Sequence, residues 1–428
     1  MVEHSAAVCR GIALGMVSLL ALSGCAGGDD SHDVEDGTIP APQLEDTGEE
    51  SDDGGTGEGD DAAEDTGDTD DGDDASADDQ TEAQQQTPEW PAANTTTMEL
   101  VDTISEPVIS PKSVVANGHG LAIASNMMYQ NTITVYDTTS RELVQELSDS
   151  ISPAEFGVEG YPDTVEGAPV EAVWTPDGQH AYVSQYRLAG LGADAEDLCQ
   201  AGDAIAPSAV YRYSVEAQDW DQFIEVGRVP KYVEMTPDGE TLLVSNWCDH
   251  DLSVVDVDAA EETMRIPLNS QPRGIVVMDD NRTAFVTAMF AHEIYRVDLE
   301  TGDSEVIAQT GQRPRHLVRD AAGENIYITV AGANQLLRMN PETGEITDST
   351  ATGAEPRSMA ISADGTALYV VNYDEATVSK FDAETLEEID RLSTGSLPIG
   401  VTYDVHTGTV WVSNYSGTIS VYDDTVER

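Results

Sequence analysis

A repeat of 42 residues constrains this chain more than any other feature. The segment from Pro230 to Trp247 reads Pro-Lys-Tyr-Val-Glu-Met-Thr-Pro-Asp-Gly-Glu-Thr-Leu-Leu-Val-Ser-Asn-Trp, and the run Leu252–Asp256 follows it. Similar segments begin at Pro272, Pro314, Pro356 and Pro398, so five prolines keep one spacing of 42. Two earlier copies begin at Pro111 and Pro169, spaced 58 and 61 by insertions, which makes seven. A fixed period of this size marks a solenoid, a propeller or an array.

Each copy has the same local physics. An apolar stretch after the proline (Tyr232 to Met235, Ser358 to Ile361) reads as a buried strand. Thr236-Pro237-Asp238-Gly239 and Ser362-Ala363-Asp364-Gly365 are tight turns, with glycine available for positive φ. A second strand (Leu242 to Asn246, Ala367 to Asn372) and an alternating third that ends in Asp (Asp256, Asp382) follow. A more polar fourth strand returns to the next Gly-x-x-Pro, as at Gly311, Gly353 and Gly395. Helical periodicity is absent, and glycine and proline recur too densely for a helical solenoid. Four short strands per unit predict an all-β, seven-bladed β-propeller with four-stranded blades.

The seventh copy stops at its third strand, Thr418 to Asp423, whereas residues 97–104 match the pattern of a fourth strand. The N-terminal strand is therefore expected to complete the last blade and remove a free edge. The propeller is expected over residues 97–425.

The repeats resemble the YVTN-type family. The marks are Leu243-Val244-Ser245-Asn246, Tyr369-Val370-Val371-Asn372, Trp411-Val412-Ser413-Asn414 and the recurring Pro-Arg step. The resemblance covers about residues 97–425 and implies a seven-bladed propeller, similar to bacterial surface-layer and YncE-like proteins. Members of that family are mostly secreted or surface proteins without an assigned reaction. Blades 1, 2 and 5 depart from the pattern: blade 1 has Asn117-Gly118-His119-Gly120 at its turn, and blade 5 has Val330-Ala331 where others have Asn and an aromatic.

The N-terminus is of a different kind. Gly11 to Leu22 is an apolar run preceded by Arg10, too short to span a bilayer, and it reads as a secretory h-region. Leu22-Ser23-Gly24-Cys25 resembles the lipobox of bacterial lipoproteins, in which the cysteine carries lipid through a thioether. Residues 1–24 are thus expected to be a signal peptide and Cys25 a lipidation site, with the protein exported and lipid-anchored to a cell membrane, at the outer membrane and periplasm or at the cell surface. Residues 25–96 are rich in Asp, Glu, Gly, Thr and Gln. Such a segment cannot bury enough apolar surface to offset its ordering entropy, so it is expected to be a disordered, extended acidic stalk. It contains no calcium loop of the Asp-x-Asp-x-Asp-Gly type.

Charge separates into two parts. The 428 residues carry 81 acidic and 19 basic side chains, a formal net charge of −62. Twenty-six of the acidic groups precede residue 95, against one basic residue, and the rest of the chain remains strongly acidic with only three lysines, Lys112, Lys231 and Lys380. A folded surface of this kind is typical of salt adaptation, and it predicts stability that rises with molar salt. The charge also argues against nucleic acid as a partner.

Against this background the few cations are informative. The residue after each blade-initial proline is Lys112, Val170, Lys231, Arg273, Arg315, Arg357 or Ile399, so five of seven are basic. They are expected to circle the channel mouth, where they would attract a carboxylate, a phosphate or an acidic protein loop. Pairing of each with a neighbouring acid is the alternative. The loops between second and third strands add Tyr186, Trp247, Phe290, Tyr373 and Tyr415, suited to a ring-bearing or protein ligand or to packing between blades. Cys199 lies in an insertion of blade 2 and Cys248 in the matching loop of blade 3. Adjacent loops of an exported protein favour a disulfide between them. His250 and His292 occupy equivalent repeat positions, but successive blades hold equivalent residues about 10 Å or more apart, and no metal is expected.

Three functions remain open. The first is a monomeric binding or scaffold module, without cofactor, for a protein or small anionic ligand at the mouth. The second is a propeller enzyme of lactonase or lyase type, which would need Glu171, Arg273, Arg315 and His316 to converge. The third is a redox accessory protein of a dehydrogenase or haem system. No nucleophile elbow, haem motif, Walker loop or zincin motif is present, so an enzyme is the lesser expectation.

Overall fold

A computed structural model of the chain describes residues 92–425, apart from 95, 108, 129, 190–198 and 200–204. The signal peptide read at 1–24, the lipidation site read at Cys25, and the acidic stalk as far as residue 91 lie outside the described residues. Among the described residues no helix is long and apolar enough to cross a membrane.

Residues 99–423 form seven four-stranded antiparallel sheets, each an antiparallel meander. Blade 3 shows the unit: Pro230–Met235, Thr241–Asn246, Asp251–Asp256 and Glu261–Pro267 pair in chain order. The first strands of blades 1 to 7 are Ser113–Ala116, Pro169–Trp174, Pro230–Met235, Pro272–Val277, Pro314–Arg319, Pro356–Ile361 and Pro398–Asp404. Each touches the first strand of the next blade, and the seventh touches the first, so these strands line the central channel of a closed ring.

The expected closure is present. Glu99–Ile104 pairs with Thr418–Asp423 and supplies the fourth strand of blade 7, with Leu100 opposite Tyr422 and Ile104 opposite Ile419. Outside that strand, Ala93 bridges Thr425. The backbone N–H of Ala93 also donates to Asp364 Oδ2 in the Asp-Gly turn of blade 6.

The core consists of seven apolar layers between blades, because a strand has period two and its alternate side chains serve the two neighbouring interfaces. Leu242 packs toward blade 2 and Leu243 toward blade 4; Leu368 packs toward blade 5 and Tyr369 toward blade 7. Fully burying one such side chain stabilises by about 1.5–3 kcal/mol.

The repeat marks have structural causes. Asn246, Asn372 and Asn414 turn inward at the end of the second strand and donate to hydroxyls of the third, Ser253 at 2.8 Å, Ser379 at 2.8 Å and Ser420 at 3.2 Å. These amides lie against Gly227, Gly353 and Gly395. A Cβ there would stand 2.6 Å from Asn246 Nδ2, 2.6 Å from Asn372 Cγ and 2.8 Å from Asn414 Cγ, so glycine three residues before the proline is a steric requirement. The turn glycines Gly239 and Gly365 take φ of 76° and 72°, as the turn sequences predict.

Blades 1 and 2 are joined by an insertion with a 3-10 turn, Pro153–Phe156, and a small two-stranded sheet, Ser150–Ile151 with Val165–Glu166. A disulfide joins Cys199 to Cys248, with Cα atoms 5.0 Å apart, and ties the blade 2 insertion to blade 3.

Candidate functional site

The register fixes which residues share a face. Pro230 pairs with Asn246, Pro356 with Asn372 and Pro398 with Asn414, so the proline ends and the loops after the second strands lie together, while the Asp-Gly turns lie at the opposite end. The contact of Ala93 with Asp364 therefore places the start of the described chain on the face opposite the prolines.

On the proline face a cavity of about 260 Å³ is lined by Lys112, Lys231, Arg273, Arg315 and Arg357, with Val170, Tyr186, Trp247, Phe290 and Tyr415. The five cations expected to share a mouth do share one. Glu171, His316 and Tyr373 do not line it. Glu171 and His316 follow Val170 and Arg315 on the channel strands, and Tyr373 lies beneath Arg357, whose guanidinium carbon is 3.4 Å from its ring centre.

Backbone bonds explain why cations and aromatics meet. The N–H groups of Tyr186, Trp247, Tyr373 and Tyr415 donate to the carbonyls of Ala168, Val229, Glu355 and Leu397, the residues just before the blade prolines, at 2.7–3.1 Å. The cations are fixed through hydroxyls of the preceding blade: Ser245 donates to the carbonyl of Arg273 (3.1 Å), Thr287 to that of Arg315 (3.2 Å) and Thr329 to that of Arg357 (2.9 Å).

The loops at the mouth hold unusual backbone. Val229, Arg313, Glu355 and Leu397, each just before a blade proline, adopt φ of 55–63°. Left-handed non-glycine residues cost of order 1–3 kcal/mol and cluster where structure over-determines them. Here the N–H of Arg313 donates to His292 Nδ1 (3.2 Å) and that of Glu355 to Asn334 Oδ1 (2.8 Å). His292 thus acts as a loop tie equivalent to Asn334. His250 and His292 share this turn position with φ of 58° and 62°, where histidine tolerates the left-handed region. Among the described residues no group of three or more His, Cys, Asp or Glu side chains could hold a metal ion.

The charges are not balanced. Lys112 Nζ lies 3.8 Å from Glu171 Oε2, and Glu355 receives both Arg313 (2.6 Å) and Arg357 (3.4 Å). Lys231 Nζ sits 4.1 Å from the centre of the Tyr186 ring and 5.4 Å from that of Trp247. Arg273 and Arg315 have no carboxylate within 4.0 Å among the described residues. Arg273 is only 8% exposed. Burial, and for Arg315 the neighbouring Arg273 and Arg357, work against the charged form of both guanidiniums. Lys112 is held well below its ordinary value by burial and then by Arg273.

One layer deeper, at the second residue after each proline, stand Glu171, Tyr232 and His316. His316 Nδ1 accepts the N–H of Met359 (3.2 Å), so its proton is on Nε2, which donates to the Tyr232 hydroxyl (2.9 Å). Burial holds the ring neutral, down to about 3, with Arg273, Lys112 and Arg315 acting the same way. Tyr232 and Glu234 were not singled out from the sequence. Burial pushes Tyr232 well up and Glu234 up to about 7. The offset of two from each proline is the signal that would have found Tyr232 beside Glu171 and His316.

Fold and mouth define a seven-bladed β-propeller with a cationic channel entrance. Residues 213–388 match the model of the YNCE-like beta-propeller family. Among solved structures, hydrazine synthase of Kuenenia stuttgartiensis is similar, with a TM-score of 0.56 and 16% identity over 76% of this chain and 98% of that chain. At that identity the likeness is one of fold. No curated protein matches the chain.

Proposed function

We propose that this protein is an exported, lipid-anchored binding module that takes an anionic group at the channel mouth. The observation that carries the reading is the pair Arg273 and Arg315, two largely desolvated guanidiniums in one cavity without a carboxylate within 4.0 Å among the described residues. Glu171 and Glu355 act on them only from beyond 4.0 Å and are engaged elsewhere, Glu171 with Lys112 and Glu355 with Arg313 and Arg357. An oxyanion would supply the missing counter-charge through bidentate, charge-assisted bonds. The ligand is a small anion or an acidic protein surface rather than nucleic acid, because the acidic exterior repels a polyphosphate. The described chain begins at Ala93's contact with Asp364, on the face opposite the mouth.

The binding reading is favoured over an enzyme for a specific reason. Both ring nitrogens of His316 are engaged, and Glu171 is paired with Lys112, so neither is free as a general base.

Arg273→Glu combined with Arg315→Glu tests the mouth. Titration calorimetry with a panel of carboxylates and inorganic phosphate should show binding to the wild type and none to the variant. Equal heats from both would remove the reading. Tethering is tested by Cys25→Ser, which should move the protein from the membrane to the soluble fraction of an expressing bacterium.

A further inference from the structure

We propose that Tyr232 supplies a third donor to the bound oxyanion, and that the ligand is a small organic carboxylate whose apolar body lies against Trp247 and Phe290. This rests on the anion-binding reading of the mouth and specifies its ligand.

The geometry begins with Gly274. It is the second residue after Pro272, so it occupies in blade 4 the place that Tyr232 holds in blade 3 and His316 in blade 5. A Cβ on Gly274 would stand 2.8 Å from the carbonyl oxygen of Arg315 and 2.9 Å from the Cα of His316. The first strands of blades 4 and 5 therefore approach closely, with no side chain between them at this layer. The Tyr232 hydroxyl of blade 3 reaches His316 Nε2 of blade 5, 84 residues and two repeats away, at 2.9 Å. The two rings meet edge to face with centres 5.2 Å apart.

This contact places the phenol next to the strands that carry Arg273-Gly274 and Arg315-His316. Because His316 donates from Nε2, the phenol oxygen is the acceptor of that bond, and its own hydrogen remains to be given away. Among the described residues no acceptor takes it. The two guanidiniums line the cavity, and the O–H stands one layer beneath it, close enough to Arg273 to feel its charge, so a carboxylate seated between the arginines and reaching down to the phenol would meet donors at both levels. An acceptor-only planar group such as a carboxylate satisfies such a set. A monoprotonated phosphate would bring a hydrogen that needs an acceptor.

The rim selects the rest of the ligand. Trp247 and Phe290 meet edge to face at 5.7 Å, and Phe290 is 52% exposed. Both line the same cavity as the two arginines. An exposed aromatic beside buried cations suits a ligand with a charged end and an apolar end.

The test is calorimetry on the whole protein with benzoate, acetate and inorganic phosphate as probes. Benzoate should bind more tightly than acetate and phosphate. Tyr232→Phe should weaken benzoate about 10- to 100-fold, the range for a hydrogen bond to a charged group, with the fold retained but the melting temperature lowered, because the buried His316 Nε2–H loses its acceptor. Benzoate should also shift the 13Cζ resonance of Tyr232 in the wild type. The inference is overturned if Tyr232→Phe binds benzoate like the wild type, if that resonance does not move, or if acetate or phosphate binds as tightly as benzoate. If those results accompany a full loss of binding in the Arg273/Arg315 charge reversal, the anion site stands and only this inference falls. If the wild type binds none of the three probes, both fall.

Discussion

Lys380 Nζ lies 2.6 Å from Asp424 Oδ1, and both side chains are fully buried. The same ammonium donates to the carbonyl of Asn94, and Tyr369 donates its hydroxyl to the same carboxylate. The pair thus joins blade 6, the end of blade 7 and the incoming N-terminal segment where the ring closes. Its charges lie outside the cationic mouth and serve the fold.

Removing one partner of a buried pair strands the other charge, at a cost of about 3–5 kcal/mol. Lys380→Met should therefore lower the denaturant midpoint severely. The double variant Lys380→Met/Asp424→Asn should recover part of the loss, because no net charge is left buried. A single variant as stable as the wild type, measured by urea unfolding, would contradict this.

Thr287 Oγ accepts the N–H of Gly274 (2.8 Å) and donates to the carbonyl of Arg315 (3.2 Å). Thr287→Val keeps the shape and removes both bonds. It should cost about 1–3 kcal/mol, the price of an unsatisfied buried group. It should also weaken anion binding, because the Arg315 backbone loses its tie. Paired unfolding and calorimetric curves check both effects.

The disulfide between Cys199 and Cys248 closes a sequence separation of 49 residues. Reduction, or Cys199→Ser, should destabilise by about 2–4 kcal/mol. Thiol titration of the unfolded protein should find these two cysteines unreactive until reductant is added.

Asp149 gives the protein a pH dependence. Its carboxyl is fully buried, neither oxygen has a hydrogen-bond partner, and burial, then Glu166, pushes it up to about 8. Unfolded, it would titrate near 4. Between those values the native state binds the extra proton, so stability is fully present below about pH 4 and falls as pH rises through 8. The slope is at most about 1.4 kcal/mol per pH unit. Glu234, pushed up to about 7, acts in the same direction. Asp149→Asn should make the decline in melting temperature between pH 7 and 8, above the range of Glu234 and His316, clearly shallower, and an unchanged slope there would refute the assignment.

Much of the fold was legible because each blade repeats a local solution. The prolines, the Asp-Gly turns and the inward Asn residues recur at fixed offsets, and the missing fourth strand of blade 7 left one segment, before Pro111, to fill it. The cation at the first residue after the proline was visible for the same reason. Lys380 was not separable from an ordinary strand lysine, because its partner Asp424 follows the last repeat.

The sequence by itself determined the number of blades, their strand order and the line of five cations, because these depend on period, turn chemistry and alternation within one repeat. Only the tertiary structure decided which cations are neutralised. Glu171 reaches Lys112 from the next blade, and Glu355 takes Arg313 and Arg357, which leaves Arg273 and Arg315 without a carboxylate partner at the mouth. It also decided that Tyr232 of blade 3 reaches His316 of blade 5. These pairings run between blades, and their distances depend on how closely neighbouring sheets pack around the ring.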